Sequence, residues 1–226
     1  MNVFPNDKQT RFLMPGVVGD LEMMTTHPSM SGLPYVAVIC HPHPQYQGTM
    51  HNKVVTTLAR AVMSVMPTVR FNFRGVQKSM GEYADGIGEQ ADLQAVLDWV
   101  QTVLPHHRLL LMGFSFGGYV AASVANRRHD IDYLCTVAPA LRMGDFSKMI
   151  SVSCPWFVVY GDQDEVVSVS ELADLVAHPP TAHLHGEVIA GASHFFHGQL
   201  LQLQQVVTSH LQTCIPAVNN VTGNSS

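Results

Sequence analysis

Leu109-Leu-Leu-Met-Gly-Phe-Ser-Phe-Gly-Gly-Tyr119 begins as an unbroken apolar run, turns at a serine flanked by glycines, and continues as a small-residue segment of helical character. A G-x-S-x-G turn between a strand and a helix forces the serine into a sharp, crowded bend. Side chains at Gly113 and Gly117 would strike the neighbouring strand and helix, so both positions are glycine. The bend lifts the Ser115 hydroxyl to the top of a sheet, where a base can reach it.

Working outward, further short apolar runs lie at Tyr35 to Cys40, Val69 to Phe73, Tyr133 to Ala138, Trp156 to Tyr160 and Glu187 to Ala190. Several are apolar on both faces, as parallel strands covered by helices require. Between them, Leu93, Val96, Leu97 and Val100 place one apolar stripe on a helix, and Val54, Val55, Leu58 and Val62 do nearly the same. Ala121 to Ala125 and Leu200 to Leu211 also read as helix. Regular alternation of strand and helix implies right-handed crossovers and a doubly wound, mostly parallel sheet. The first thirty-odd residues hold Pro5, Pro15 and Pro34 and little helical period, so they are assigned to antiparallel edge strands. No repeat or linker interrupts the body; the expectation is a single domain over 1–214 with a flexible tail over 215–226.

Open α/β sheets bind ligands beyond the carboxyl ends of their strands. Trp156 to Tyr160 leads there into Gly161-Asp-Gln-Asp-Glu165, with Asp164 as the chosen carboxylate and Asp162 and Glu165 as alternatives read as solvated loop charges. Glu187 to Ala190 leads into Gly191-Ala-Ser-His-Phe-Phe-His197, with His194 as the candidate base and His197 as its rival. The set is chemically coherent: a serine hydroxyl is a weak nucleophile until a neutral imidazole takes its proton. A carboxylate on the other ring nitrogen fixes the tautomer and stabilises the imidazolium. Tyr35 to Cys40 runs into His41-Pro-His-Pro-Gln-Tyr-Gln-Gly48, the loop expected to give one backbone N–H to an oxyanion, with Phe116 giving the other. Pro42 and Pro44 have no N–H, which leaves His43, with Gln45 as second choice. Read as a metal pair, His41 and His43 lack an evident third and fourth ligand, so no metal is assigned.

These residues together resemble the α/β-hydrolase superfamily, near the small bacterial hydrolases related to dienelactone hydrolases. The matching segments are HPHP at 41–44, Gly48-Thr-Met-His-Asn-Lys-Val-Val55, Phe71-Asn-Phe-Arg-Gly75, Gly113 to Gly117, Gly161 to Asp164 and Gly191 to His194, and the resemblance spans roughly Pro34 to Leu211. It implies an α/β-hydrolase fold and a serine hydrolase that needs no cofactor, with Ser115, Asp164 and His194 as its triad. It implies no substrate, because the fold hosts esterases, thioesterases, lipases and peptidases. Members of the dienelactone branch that use cysteine as nucleophile differ from this chain, which has serine at 115. Arg74-Gly75 and Gly86-Ile-Gly-Glu89 also resemble family positions and are read as a turn and the start of a helix, with substrate-carboxylate binding as the alternative for Arg74.

Only Pro139 to Pro155 separates two strands where such enzymes commonly insert a lid, too little for a helical cap, so an open cleft without a lid domain is expected. Tyr46, Phe114 and Phe195 are assigned to substrate binding, with Phe116 and Phe196 as further apolar neighbours. The expected reaction is cleavage of a carboxylic ester with a short or medium acyl group. A thioesterase or other acyl hydrolase on the same triad, and a non-catalytic binding module, are the rivals.

Composition limits the remaining possibilities. Charged residues make up 13% and apolar types 46% of 226 residues, a balance suited to a packed globule. The net charge of −5 and only 12 Lys plus Arg, without a basic run, exclude a nucleic-acid partner from the reading. Cys40, Cys135, Cys154 and Cys214 form no CxxC pair and read as reduced, buried thiols. Met1 to Leu13 shows no signal pattern and no apolar run approaches a membrane span, so a cytoplasmic protein without membrane contact is expected. Asn220-Val-Thr and Asn224-Ser-Ser match the glycosylation sequon but have no export signal to make them relevant.

Overall fold

The computed structural model describes residues 3–28, 32–215 and 218. Eight strands form one sheet: β1 (Gln9–Pro15), β2 (Asp20–Thr26), β3 (Tyr35–Cys40), β4 (Thr68–Phe71), β5 (Arg108–Phe114), β6 (Ile131–Val137), β7 (Trp156–Gly161) and β8 (Leu184–Ile189). Their spatial order is β1-β2-β4-β3-β5-β6-β7-β8. β2 pairs antiparallel with β1 and with β4, and every pairing from β4 through β8 is parallel. This is the α/β-hydrolase sheet, with the antiparallel edge that the proline-punctuated N-terminus suggests.

β3 and β7 are buried at every residue, which explains why their sequences lack alternation. Among the described residues five helices cover the sheet: α1 (Lys53–Val62), α2 (Ile87–Val103), α3 (Phe116–Ala125), α4 (Val169–Ala177) and α5 (Leu200–Cys214). α1 packs on α5 and α2 on α3. The Asn52 side chain caps α1 by accepting from the Val54 and Val55 N–H groups. Glu89 closes the start of α2 by accepting from Ala84 and Gly86 N–H.

Strand limits shift from the sequence expectation at both ends: β4 stops at Phe71, β6 starts at Ile131, and β8 begins three residues earlier, at Leu184. α4 is an element that hydrophobic period did not reveal, because only Leu172 and Leu175 of its nine residues are buried. Residues 139–155 hold two single-turn 3-10 helices, Leu141–Met143 and Phe146–Lys148, and no lid. One continuous apolar core runs from Phe4 to Val218. Ile215 and Val218 are buried, so the packed body reaches into the segment assigned to the tail; the sequons at 220–222 and 224–226 lie outside the described residues. Cys40, Cys135 and Cys154 are buried free thiols and Cys214 is half-buried and free. Among the described residues no helix is long and apolar enough to cross a membrane.

Candidate active site

The strand order reverses between β3 and β5, so the loops leaving their carboxyl ends diverge and open a crevice. Ser115 stands there between β5 and α3 with φ +54° and ψ −117°, a conformation that costs a non-glycine residue on the order of 1–3 kcal/mol. Its neighbours hold it. The Ser115 N–H donates to the Val137 carbonyl at 2.8 Å, and its own carbonyl accepts from Gly118, Tyr119 and Ala140. A Cβ on Gly113 would lie 2.2 Å from the Gly117 carbonyl oxygen, and one on Gly117 would lie 2.5 Å from the Cys40 and His41 carbonyl oxygens. The crowding read from the sequence is therefore present on both sides of the serine.

The structure brings the three expected residues together. The Ser115 hydroxyl lies 3.1 Å from His194 Nε2, and His194 Nδ1 lies 2.8 Å from Asp164 Oδ2. The side chains of His194 and Asp164 are 2% and 0% exposed, which keeps water from competing for these bonds. The other Asp164 oxygen accepts from the Val166 and Val167 N–H groups at 2.8 and 2.7 Å. Burial pushes the Asp164 carboxyl up, but the bond from His194 and the two backbone N–H groups outweigh it and hold the group below the usual carboxylate range.

The loop charges read as solvated are exposed, and each also has a backbone partner. Asp162 accepts from the Gly191 N–H at 2.6 Å, and Glu165 from the His194 N–H at 3.1 Å, so both tie the histidine loop to the loop after β7. His197 is exposed, with its ring beside Phe195 and not in the crevice.

His41 and His43, three and one residues before the 3-10 turn Pro44–Tyr46, do different work. His41 is fully buried; its Nδ1–H donates to the Pro42 carbonyl at 2.6 Å and its Nε2 accepts from the Phe73 N–H at 3.0 Å. With both nitrogens engaged, burial first and the neighbouring His43 as a lesser cause lower its pKa to about 4, against the Pro42 bond. His43 Nδ1 accepts from the Gln45 N–H and its Nε2 lies 3.2 Å from the Tyr83 hydroxyl. Gln45 N–H is thereby occupied, whereas the His43 and Phe116 N–H groups have no acceptor among the described residues.

A cleft of about 420 Å³ opens over Ser115. Tyr46, Phe116 and Phe195 line it as expected. Phe114 does not: it is fully buried beneath His194, with ring centroids 4.9 Å apart, because the last residue of β5 points into the core while the next residue turns outward. Phe196 is likewise fully buried. The sequence reading missed the Leu141 to Met143 turn and Val166, which form the opposite wall. Arg74 does not face the cleft; it makes a bidentate ion pair with buried Asp92 at 2.7 and 3.0 Å.

Comparison with known proteins bears on the fold and the family. The structure of an alpha-beta serine hydrolase homologue from Coxiella burnetii is 43% identical, covering 92% of this chain and 99% of its own, with a TM-score of 0.87. A serine hydrolase without lid from Xanthomonas campestris is 35% identical over 95% of this chain and 96% of its own, with a TM-score of 0.84. An uncharacterized protein of Rickettsia prowazekii is 35% identical over 187 residues, 79% of each chain. The model of the dienelactone hydrolase family matches residues 76–210, more than half of the sequence. The chain belongs to the dienelactone hydrolase family of α/β-hydrolase enzymes.

Proposed function

We propose that this enzyme cleaves a carboxylic ester of short or medium acyl length through an acyl-enzyme on Ser115. The observation that carries this reading is the buried chain of hydrogen bonds from Ser115 through His194 to Asp164. Asp164 holds the proton on Nδ1, which leaves Nε2 free to accept the serine proton as the oxygen attacks the ester carbonyl. The carbonyl π bond breaks toward oxygen, and the Phe116 and His43 N–H groups donate to the resulting oxyanion. One such donor is worth about 3 kcal/mol in the transition state. Collapse expels the alkoxide, which takes its proton from Nε2, and water repeats the sequence in reverse to release the acid. Besides the ester and water, these steps draw on Ser115, His194, Asp164 and the two backbone N–H groups.

The cleft supports the substrate class. Its volume of about 420 Å³ lies near the lower end for small-molecule sites, and its walls are mainly Leu141, Met143, Val166, Phe116 and Phe195. Such walls favour a compact, apolar acyl group, with Arg142 and Asn52 as polar members of the lining.

Turnover of nitrophenyl esters from acetyl to palmitoyl tests this. The expected kcat/KM is highest in the short to medium range, and Ser115→Ala lowers it by about 10⁴-fold or more. Rates that climb steadily to palmitoyl, or a Ser115→Ala variant that keeps its activity, contradict the reading.

A further inference from the structure

A second depression lies between the antiparallel edge of the sheet and α1. It encloses about 540 Å³ and shares no lining residue with the cleft over Ser115. Its lining includes Lys8, Thr26, Thr56, Arg60 and Arg70, with Asp7 as the one acidic member.

Arg70 is the unusual feature. It sits on β4 in register with Met24 of β2, which is itself opposite Arg11 of β1, so two arginines flank a methionine across one face of the sheet. Arg70 is only 8% exposed, yet among the described residues no carboxylate pairs with it. Its Nη1 donates to the Met50 carbonyl at 3.1 Å, its Nη2 meets the Met24 thioether, a weak acceptor, at 2.8 Å, and its Nε has no partner. Two residues away on the same face, the Thr68 hydroxyl is also buried without a partner. Burial, and after it the charges of Arg11 and Arg60, disfavour the guanidinium. A buried charge among like charges is strongly unfavourable unless something opposite joins it. By contrast, Arg74, the chain's other buried arginine, has its carboxylate in Asp92.

We propose that this depression binds a small phosphate-type dianion, free or as the terminal group of a small phosphorylated molecule, between Arg70, Arg60 and Lys8. A tetrahedral dianion matches guanidinium donors, and the Thr26 hydroxyl at the wall adds a further donor. The volume leaves room for a carbon skeleton beside the phosphate group.

Calorimetric titration of the full chain with sodium phosphate, against sodium chloride at equal ionic strength, tests this. The expected result is saturable one-site binding of phosphate absent with chloride. Arg60 is exposed on α1, so Arg60→Gln folds normally and weakens phosphate binding about tenfold, while Arg70→Met removes it. Glycerol phosphate provides a second arm: tighter binding than inorganic phosphate marks a phosphorylated molecule, and equal binding marks the ion. Phosphate indistinguishable from chloride, or both variants binding as the parent does, overturns the proposal.

Discussion

At the scale of single residues, His41 ties the loop after β3 to the segment after β4 through its two ring nitrogens. Its Nε2 accepts from Phe73 N–H, so protonation would set one donor against another in a buried place. In the folded chain the imidazole titrates at about 4, against 6.5 ordinarily. Between those values the unfolded chain binds more protons, so stability rises with pH there; it is complete above about pH 6.5 and is lost as pH falls toward 4. The full extent is roughly 3 kcal/mol. Urea midpoints measured from pH 7 down to 4.5 are expected to fall, and to fall less steeply in His41→Gln, whose amide oxygen can still accept from Phe73. Parallel profiles for the two proteins contradict this. The triad was legible at this scale because each member follows its own strand in a fixed order. The roles of Asp162 and Glu165 were not, because their partners are backbone N–H groups 29 positions away. Phe114 was misplaced for a related reason: adjacency to a nucleophile in sequence carries no direction, and a sharp bend sends neighbours opposite ways.

Elements position these residues through close contact. Gly161 ends β7 against the turn that carries His194, and a Cβ there would lie 2.0 Å from the Ala192 carbonyl oxygen. Gly161→Ala is expected to destabilise the protein by about 1–3 kcal/mol and to lower kcat by displacing the imidazole, with KM little changed. Thermal unfolding together with ester turnover checks both parts; a variant with parental melting temperature and kcat contradicts them. The buried strands and the strongly amphipathic α1 were readable from apolar pattern. α4 was not, because two buried leucines make a poor stripe, although Ser168 accepting from the Glu171 N–H is a capping signal the sequence does carry. The 139–155 segment was correctly read as too short for a lid. Its use as a wall of the cleft depends on how a 3-10 turn folds over α3, which composition does not encode.

On the scale of the whole molecule, alternating strands and helices make the parallel sheet predictable, and the reversal of strand order places the crevice at the ends of β3 and β5. What was hidden is the edge: β1 and β2 extend the sheet beyond the cover of α1 and leave a polar, cationic hollow that no linear pattern announces. Both depend on pairings between distant segments. The central claim is that this architecture delivers an imidazole-activated hydroxyl at Ser115. Treatment with a fluorophosphonate, followed by mass mapping of the adduct, tests it most directly. The account predicts one phosphonyl group on Ser115, absent in Ser115→Ala and nearly absent in His194→Ala; an unlabelled protein, or an adduct on another residue, contradicts it.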